Sequence, residues 1–117
     1  MEENFIDRGD HIELIKPVGG IKMIAEVLGD DCIWDIAVLC AKNCRAGGFS
    51  DWRLPTREEL KQLFRVRKIC GIRHCYSTFW SSSSDECFGD GKWAVDFYDG
   101  YAYKSYIYTK HCVVFVR

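Results

Sequence analysis

The sequence predicts an α+β domain, with short strands first, two helices next and a run of strands to the end. Three observations predict it. Ile33, Trp34, Ala37, Val38 and Ala41 recur at helical spacing. Pro55 and Thr56, with Glu59 three residues after the threonine, spell the start of a second helix closed by a capping box. Trp93-Ala94-Val95-Asp96-Phe97 alternates as a strand does, and Asp99-Gly100 follows it as a hairpin signal, because such a turn needs residues that tolerate positive φ.

The elements follow in chain order. Ile12–Ile15 and Ile21–Val27 read as strands, with Pro17-Val18-Gly19-Gly20 as the turn between them. Asp30 and Asp31 supply an N-terminus for the first helix, about Cys32–Cys44, which Gly47-Gly48 stops. The second helix runs from about Arg57 to Val66. Leu60, Leu63 and Phe64 form its apolar face, and Arg57, Lys61, Arg65 and Lys68 its basic one. Phe79-Trp80-Ser81 is a short strand entering a serine-rich loop. Tyr101–Tyr108 returns from the hairpin turn, and Cys112–Val116 is a final apolar strand. No internal repeat or linker interrupts the chain, so residues 1–117 read as one domain.

Composition narrows the function classes. The 117 residues are 48% hydrophobic, 28% charged and 15% aromatic, enough to bury a core without obligatory staples. A net charge of −1 argues against a nucleic-acid-binding polycation. The start, Met1-Glu2-Glu3-Asn4, lacks the basic and apolar regions of a secretory signal, and no apolar run approaches the ~20 residues that span a bilayer. A cytoplasmic protein, or one delivered as part of an assembly, is the expectation. Seven cysteines leave an odd thiol in a monomer, and without a signal they read as reduced and mostly buried. Under export by another route, a bridge between the first helix and the C-terminal strand becomes plausible.

The segment Gly47-Gly48-Phe49-Ser50-Asp51-Trp52-Arg53-Leu54-Pro55-Thr56-Arg57-Glu58-Glu59-Leu60 is long and distinctive. It resembles the signature of the Lcl C-terminal domain family, a bacterial family of unknown function typified by the C-terminal domains of collagen-like adhesins. Weaker landmarks fall in the family's order: Phe5–Asp10, Trp34-Asp35, Phe79-Trp80-Ser81-Ser82, Trp93–Phe97 with Asp99-Gly100, and Val116-Arg117. The resemblance covers nearly the whole chain. It implies a C-type-lectin-like fold, with two helices flanking a small antiparallel sheet and long loops that present ligand contacts. Two departures stand out. Ile21-Lys22-Met23-Ile24 replaces a Gly-Leu-Met-Trp pattern, and the familiar terminal cysteine is missing, with Cys112 lying earlier. Disulfide pairings of relatives therefore do not transfer.

Each candidate site has a bland reading beside the functional one. Asp51, Trp52, Arg53 and Pro55, with Trp80 and Trp93, read as an architectural motif, with direct ligand contact by Asp51-Trp52-Arg53 as the alternative; Trp52 is the expected core anchor, and Arg53 is expected to pair with backbone carbonyls or a carboxylate, Asp51 or Asp96. Tyr98, Tyr101, Tyr103, Tyr106 and Tyr108, with Asp99 and Lys104, read either as sheet packing or as a recognition surface. Tyr101 and Tyr103 are expected to share a strand face. Arg57, Lys61, Arg65 and Lys68 read as a solvated helix face or as a surface for an anionic ligand. The resemblance raises calcium, but the proline-containing calcium loops of classical C-type lectins are missing, and Asp85, Glu86, Asp90, Asp96 and Asp99 read as solvated loop residues. Cys70, His74 and Cys75, or Cys40 with Cys44, lack the paired spacing of a zinc site. Formylglycine-generating enzymes have a related fold, but this chain is shorter and lacks their catalytic context. His11, His74 and His111 form no nucleophile–base arrangement in the sequence.

The expectation is thus a binding module without enzymatic activity, cofactor or metal. Its ligand would be a glycan or a protein, held by the Ser81–Asp90 loop and the Tyr98–Lys110 hairpin. A protein-interaction module, a diversified ligand binder and a structural subunit are the alternatives, and a homo-oligomer is compatible with each.

Overall fold

The computed structural model describes residues 5–26, 31–73, 76–84 and 91–117. The strands are β1 (Phe5–Asp7), β2 (Ile12–Val18), β3 (Ile21–Glu26), β4 (Thr78–Ser84), β5 (Gly91–Asp96), β6 (Ala102–Tyr106) and β7 (Val114–Val116). The helices are α1 (Trp34–Asn43) and α2 (Arg57–Arg65). The protein is α+β, with two antiparallel sheets where one was expected: β1-β2-β3-β7 and β4-β5-β6. The C-terminal segment joins them, because Cys112 bridges Phe79 in parallel just before β7 begins.

Alternation explains the layering. Neighbouring residues on a strand point to opposite faces. Ile24, Phe79, Val95, Val114 and Val116 enter one core with Leu60 and Leu63 of α2. Their neighbours Ala25, Trp80, Ala94, Val113 and Phe115 enter a second core with Ala37 and Ala41 of α1. The strands thus separate two apolar layers, one under each helix. The continuous run Val113–Val116 is buried throughout because it serves both layers.

Several boundaries differ from the sequence reading. Pro17 and Val18 belong to β2, and only Gly19-Gly20 turn; the register shifts between Glu13 and Val18, and such an irregularity tolerates a proline. The first helix begins at Trp34 with Ile33 as its N-cap and no side-chain cap, so Asp31 does not cap it. It ends at Asn43, before the 3₁₀ turn Ala46–Gly48. Ser81–Ser84 continue β4 rather than opening a loop, and Asp85–Asp90 lie outside the described residues. The second helix fits its reading closely. Thr56 accepts from the Glu59 N–H, and the Glu59 carboxylate accepts from the Thr56 N–H in return. No helix among the described residues is long and apolar enough to cross a membrane.

Candidate functional site

The signature segment is a knot of backbone and side-chain contacts. Trp52 is buried in the α1-side core, and its indole donates to the Ala46 carbonyl at 3.0 Å. Leu54 and Pro55 are buried beside it. Arg53 pairs through its backbone with Val116, donating at 3.1 Å and accepting at 2.8 Å, so the segment adds a rung to the outer edge of β7. The Arg53 guanidinium grips Glu59 with two bonds of 2.6 and 2.7 Å. This corrects the expected partner. Asp51 is instead engaged by Arg117 at 2.5 and 3.1 Å, and Asp96 accepts from the Tyr98 N–H in the hairpin turn. The Arg53 guanidinium and the Thr56 N–H hold the Glu59 carboxyl below its ordinary range.

The glycines that open the signature have their own reason. Gly47 sits at φ +63°, and a Cβ there would come within 2.8 Å of the His11 ring. His11 is buried edge-on to Phe49 and Trp52, and Asp10 holds its Nδ1 at 2.6 Å while accepting from the Gly47 N–H.

The hairpin β5–β6 is built differently. Asp96 and Asp99 each accept from a backbone N–H two residues on, which shapes the turn. Gly100 lies at φ +81°, and a side chain there would collide with the Phe64 ring of α2. The turn is therefore seated on the helix. Trp93 lies opposite Lys104 and Gly91 opposite Tyr106, so all four share the α2-side face of the sheet. The Arg57 guanidinium lies 4.4 Å from the centre of the Trp93 ring. Its backbone N–H donates to Ser83 Oγ at 3.0 Å, which fixes the start of α2 on β4. Tyr108 meets Tyr106 edge-on at 5.2 Å. Arg57, Trp93, Lys104, Tyr106 and Tyr108 thus form one patch at the open end of the hairpin, drawn from candidate groups that were separate in the sequence.

The five hairpin tyrosines are all exposed, from 41% for Tyr103 to 75% for Tyr98. They do not form one face. Tyr98 lies at the turn beside Tyr76, with Lys68 over the Tyr76 ring. Tyr101 immediately precedes β6, where its carbonyl accepts from the Asp96 N–H at 3.0 Å. Tyr103 lies opposite Ala94, on the other face from Tyr106, and meets His111 edge-on. The basic stripe also divides. Arg57 and Lys61 are partly buried, Arg65 closes the helix, and Lys68 lies in the turn beyond it.

Sequence reasoning missed His111. It is buried against Trp80 at 4.6 Å and shares a 2.8 Å hydrogen bond with Ser105, and burial pushes its pKa down. Its place beside the apolar Cys112–Val116 run was the available signal. Cys32, Cys40, Cys44 and Cys112 are free thiols, and burial raises Cys112 to about 11 while its thiol donates to Asp31. His74, Cys75, Asp85, Glu86, Cys87 and Asp90 lie outside the described residues. Among the described residues no three His, Cys, Asp or Glu converge as a metal site. A family model described as the Lcl C-terminal domain matches residues 20–117. No curated protein matches the chain.

Proposed function

The chain belongs to the Lcl C-terminal domain family, and from that premise we propose that it is a non-enzymatic ligand-binding module of C-type-lectin-like fold. Its ligand is a glycan or glycan-bearing cell surface. The observation that carries the reading is the patch at the open end of the hairpin, where Arg57 lies over Trp93 and Lys104 stands opposite that ring. Aromatic rings offer stacking surfaces to the C–H faces of sugars, and two neighbouring cations favour acidic ones. Tyr106 and Tyr108 extend the same surface.

A glycan array on the purified protein, run with and without calcium and at two salt concentrations, tests this. Binding that weakens with salt and is lost in Lys104→Ala and Tyr106→Ala, but kept in Tyr98→Ala, supports the open-end patch. Loss in Tyr98→Ala alone moves the site to the turn. No glycan bound under any condition sinks the reading and favours a protein ligand. One observation favours that second reading: among the described residues β6 ends its sheet, which offers an extended segment of a partner an edge to pair with.

A further inference from the structure

We propose that α1 is a self-docking helix, through which two copies of this chain pair antiparallel about a two-fold axis. The helix reads Trp-Asp-Ile-Ala-Val-Leu-Cys-Ala-Lys-Asn, and its three polar residues, Asp35, Lys42 and Asn43, leave the rest of the surface apolar. A helix on a surface ordinarily keeps one polar face. Here Ala37 and Ala41 face the core, while the opposite side exposes Ile36 at 44% and Leu39 at 54%, with Cys40 and Asn43 beside them. Half of the six exposed positions, Ile36, Leu39 and Cys40, thus lack the polar side chains that water selects.

Charge identifies the occupant. At about 100° per residue, Asp35 and Lys42 lie seven residues apart on almost one azimuth, along one rim of the exposed apolar face. Both are exposed. One sits in the first turn and the other in the last. A two-fold axis that reverses the helix keeps each rim on its own side. It therefore sets Asp35 of one copy against Lys42 of the other, twice. The same register puts the midpoint between Val38 and Leu39, so the most exposed leucine meets its own copy at the centre. Cys40 lies on the opposite rim. At about 1.5 Å rise per residue the two Cys40 positions fall about 5 Å apart along the axis.

Sedimentation velocity over a wide concentration range reads the outcome directly. The parent chain is expected to dimerise. Leu39→Glu is expected to be monomeric and to melt as the parent does when diluted below its dimer range, since the side chain is 54% exposed in the single chain. Asp35→Lys and Lys42→Asp each place like charges across the interface twice, and each is expected to weaken the dimer about tenfold. The double reversal restores both pairs and is expected to regain the parent affinity. Both reversals oppose the helix dipole, so the double variant has the least favourable helix, and recovery there cannot come from helix stability. A short bismaleimide is expected to cross-link the parent and not Cys40→Ser. A parent chain monomeric at every concentration overturns the proposal. So does a dimer that survives Leu39→Glu, or a double reversal that binds no better than the single ones.

Discussion

The signature segment and the β5–β6 hairpin contain the same kinds of residue and use them in opposite ways. Asp51–Thr56 turns its tryptophan and proline inward and ties its charges to fixed partners, Arg117 and Glu59. The hairpin turns its tyrosines outward, and its turn aspartates accept from its own backbone. The first region connects α1, β7, β4 and α2; the second is held by the pairing of β5 with β4 and by Ala94 and Val95 in the two cores, with its turn packed through Gly100 against Phe64. The difference teaches that a distinctive motif and a usable surface need not coincide. Substitutions that break the one should cost stability, and those that alter the other should cost binding.

The sharpest way to break this comparison is Trp52→Ala. It removes a buried indole and leaves the Ala46 carbonyl without its donor, so urea unfolding should show a loss of about 3–5 kcal/mol. A stable variant would mean that the segment does not anchor the fold. Next in size is Glu59→Ala, which removes the return half of the capping box and both bonds to Arg53. About 1–2 kcal/mol is expected, because Arg53 keeps half its surface in water. The pH dependence has a definite sign. The folded pKa of Glu59 lies below its ordinary 4.5, so its contribution is present above that pH and is lost as pH falls through the folded value. Glu59→Ala should therefore unfold with a shallower acid limb than the parent.

Much of the frame was legible in the sequence. Thr56 and Glu59 define the start of α2 because a capping box is local, needing only four residues of context. Asp99-Gly100 marks its turn for the same reason. The partner of Arg53 was not legible. Asp51 is nearer in sequence, but the backbone rung between Arg53 and Val116 aims the side chain toward α2 and leaves Asp51 to Arg117. The division into two sheets was hidden too, since it depends on which strand the C-terminal segment joins. The tyrosines illustrate the third limit. Their number suggested a single surface, yet alternation along β6 and the position of the turn distribute them over separate faces. The assembly of Arg57 with Trp93 needed the helix and the hairpin placed together, which no spacing in the sequence encodes.

His111 offers a gentler probe between the two regions, because it lies under the hairpin and against Trp80. Burial lowers its pKa, so between the ordinary 6.5 and the lower folded value the unfolded chain binds more protons than the folded one. Stability should be full above pH 6.5 and decline as pH falls through that window. His111→Asn should flatten the slope whatever its own cost at neutral pH. A parent curve that stays level between pH 7 and pH 5 would show that the ring accepts its proton in place.

The smallest stability effect is expected at Tyr101, and it is the one that separates the regions most cleanly. The side chain is 73% exposed and lies before β6 begins, while its backbone N–H is already satisfied by Asp99. Removing the ring leaves no cavity and no unpaired group, so Tyr101→Ala should change the unfolding free energy by less than about 0.5 kcal/mol. Tyr103→Ala should cost somewhat more, because that ring is less exposed and touches His111. Ligand binding measured on the same two variants then divides surface from support. Loss in Tyr101→Ala at unchanged stability makes the hairpin turn part of the recognition surface. Retention, together with loss in Lys104→Ala, confines recognition to the open end beside Arg57 and Trp93.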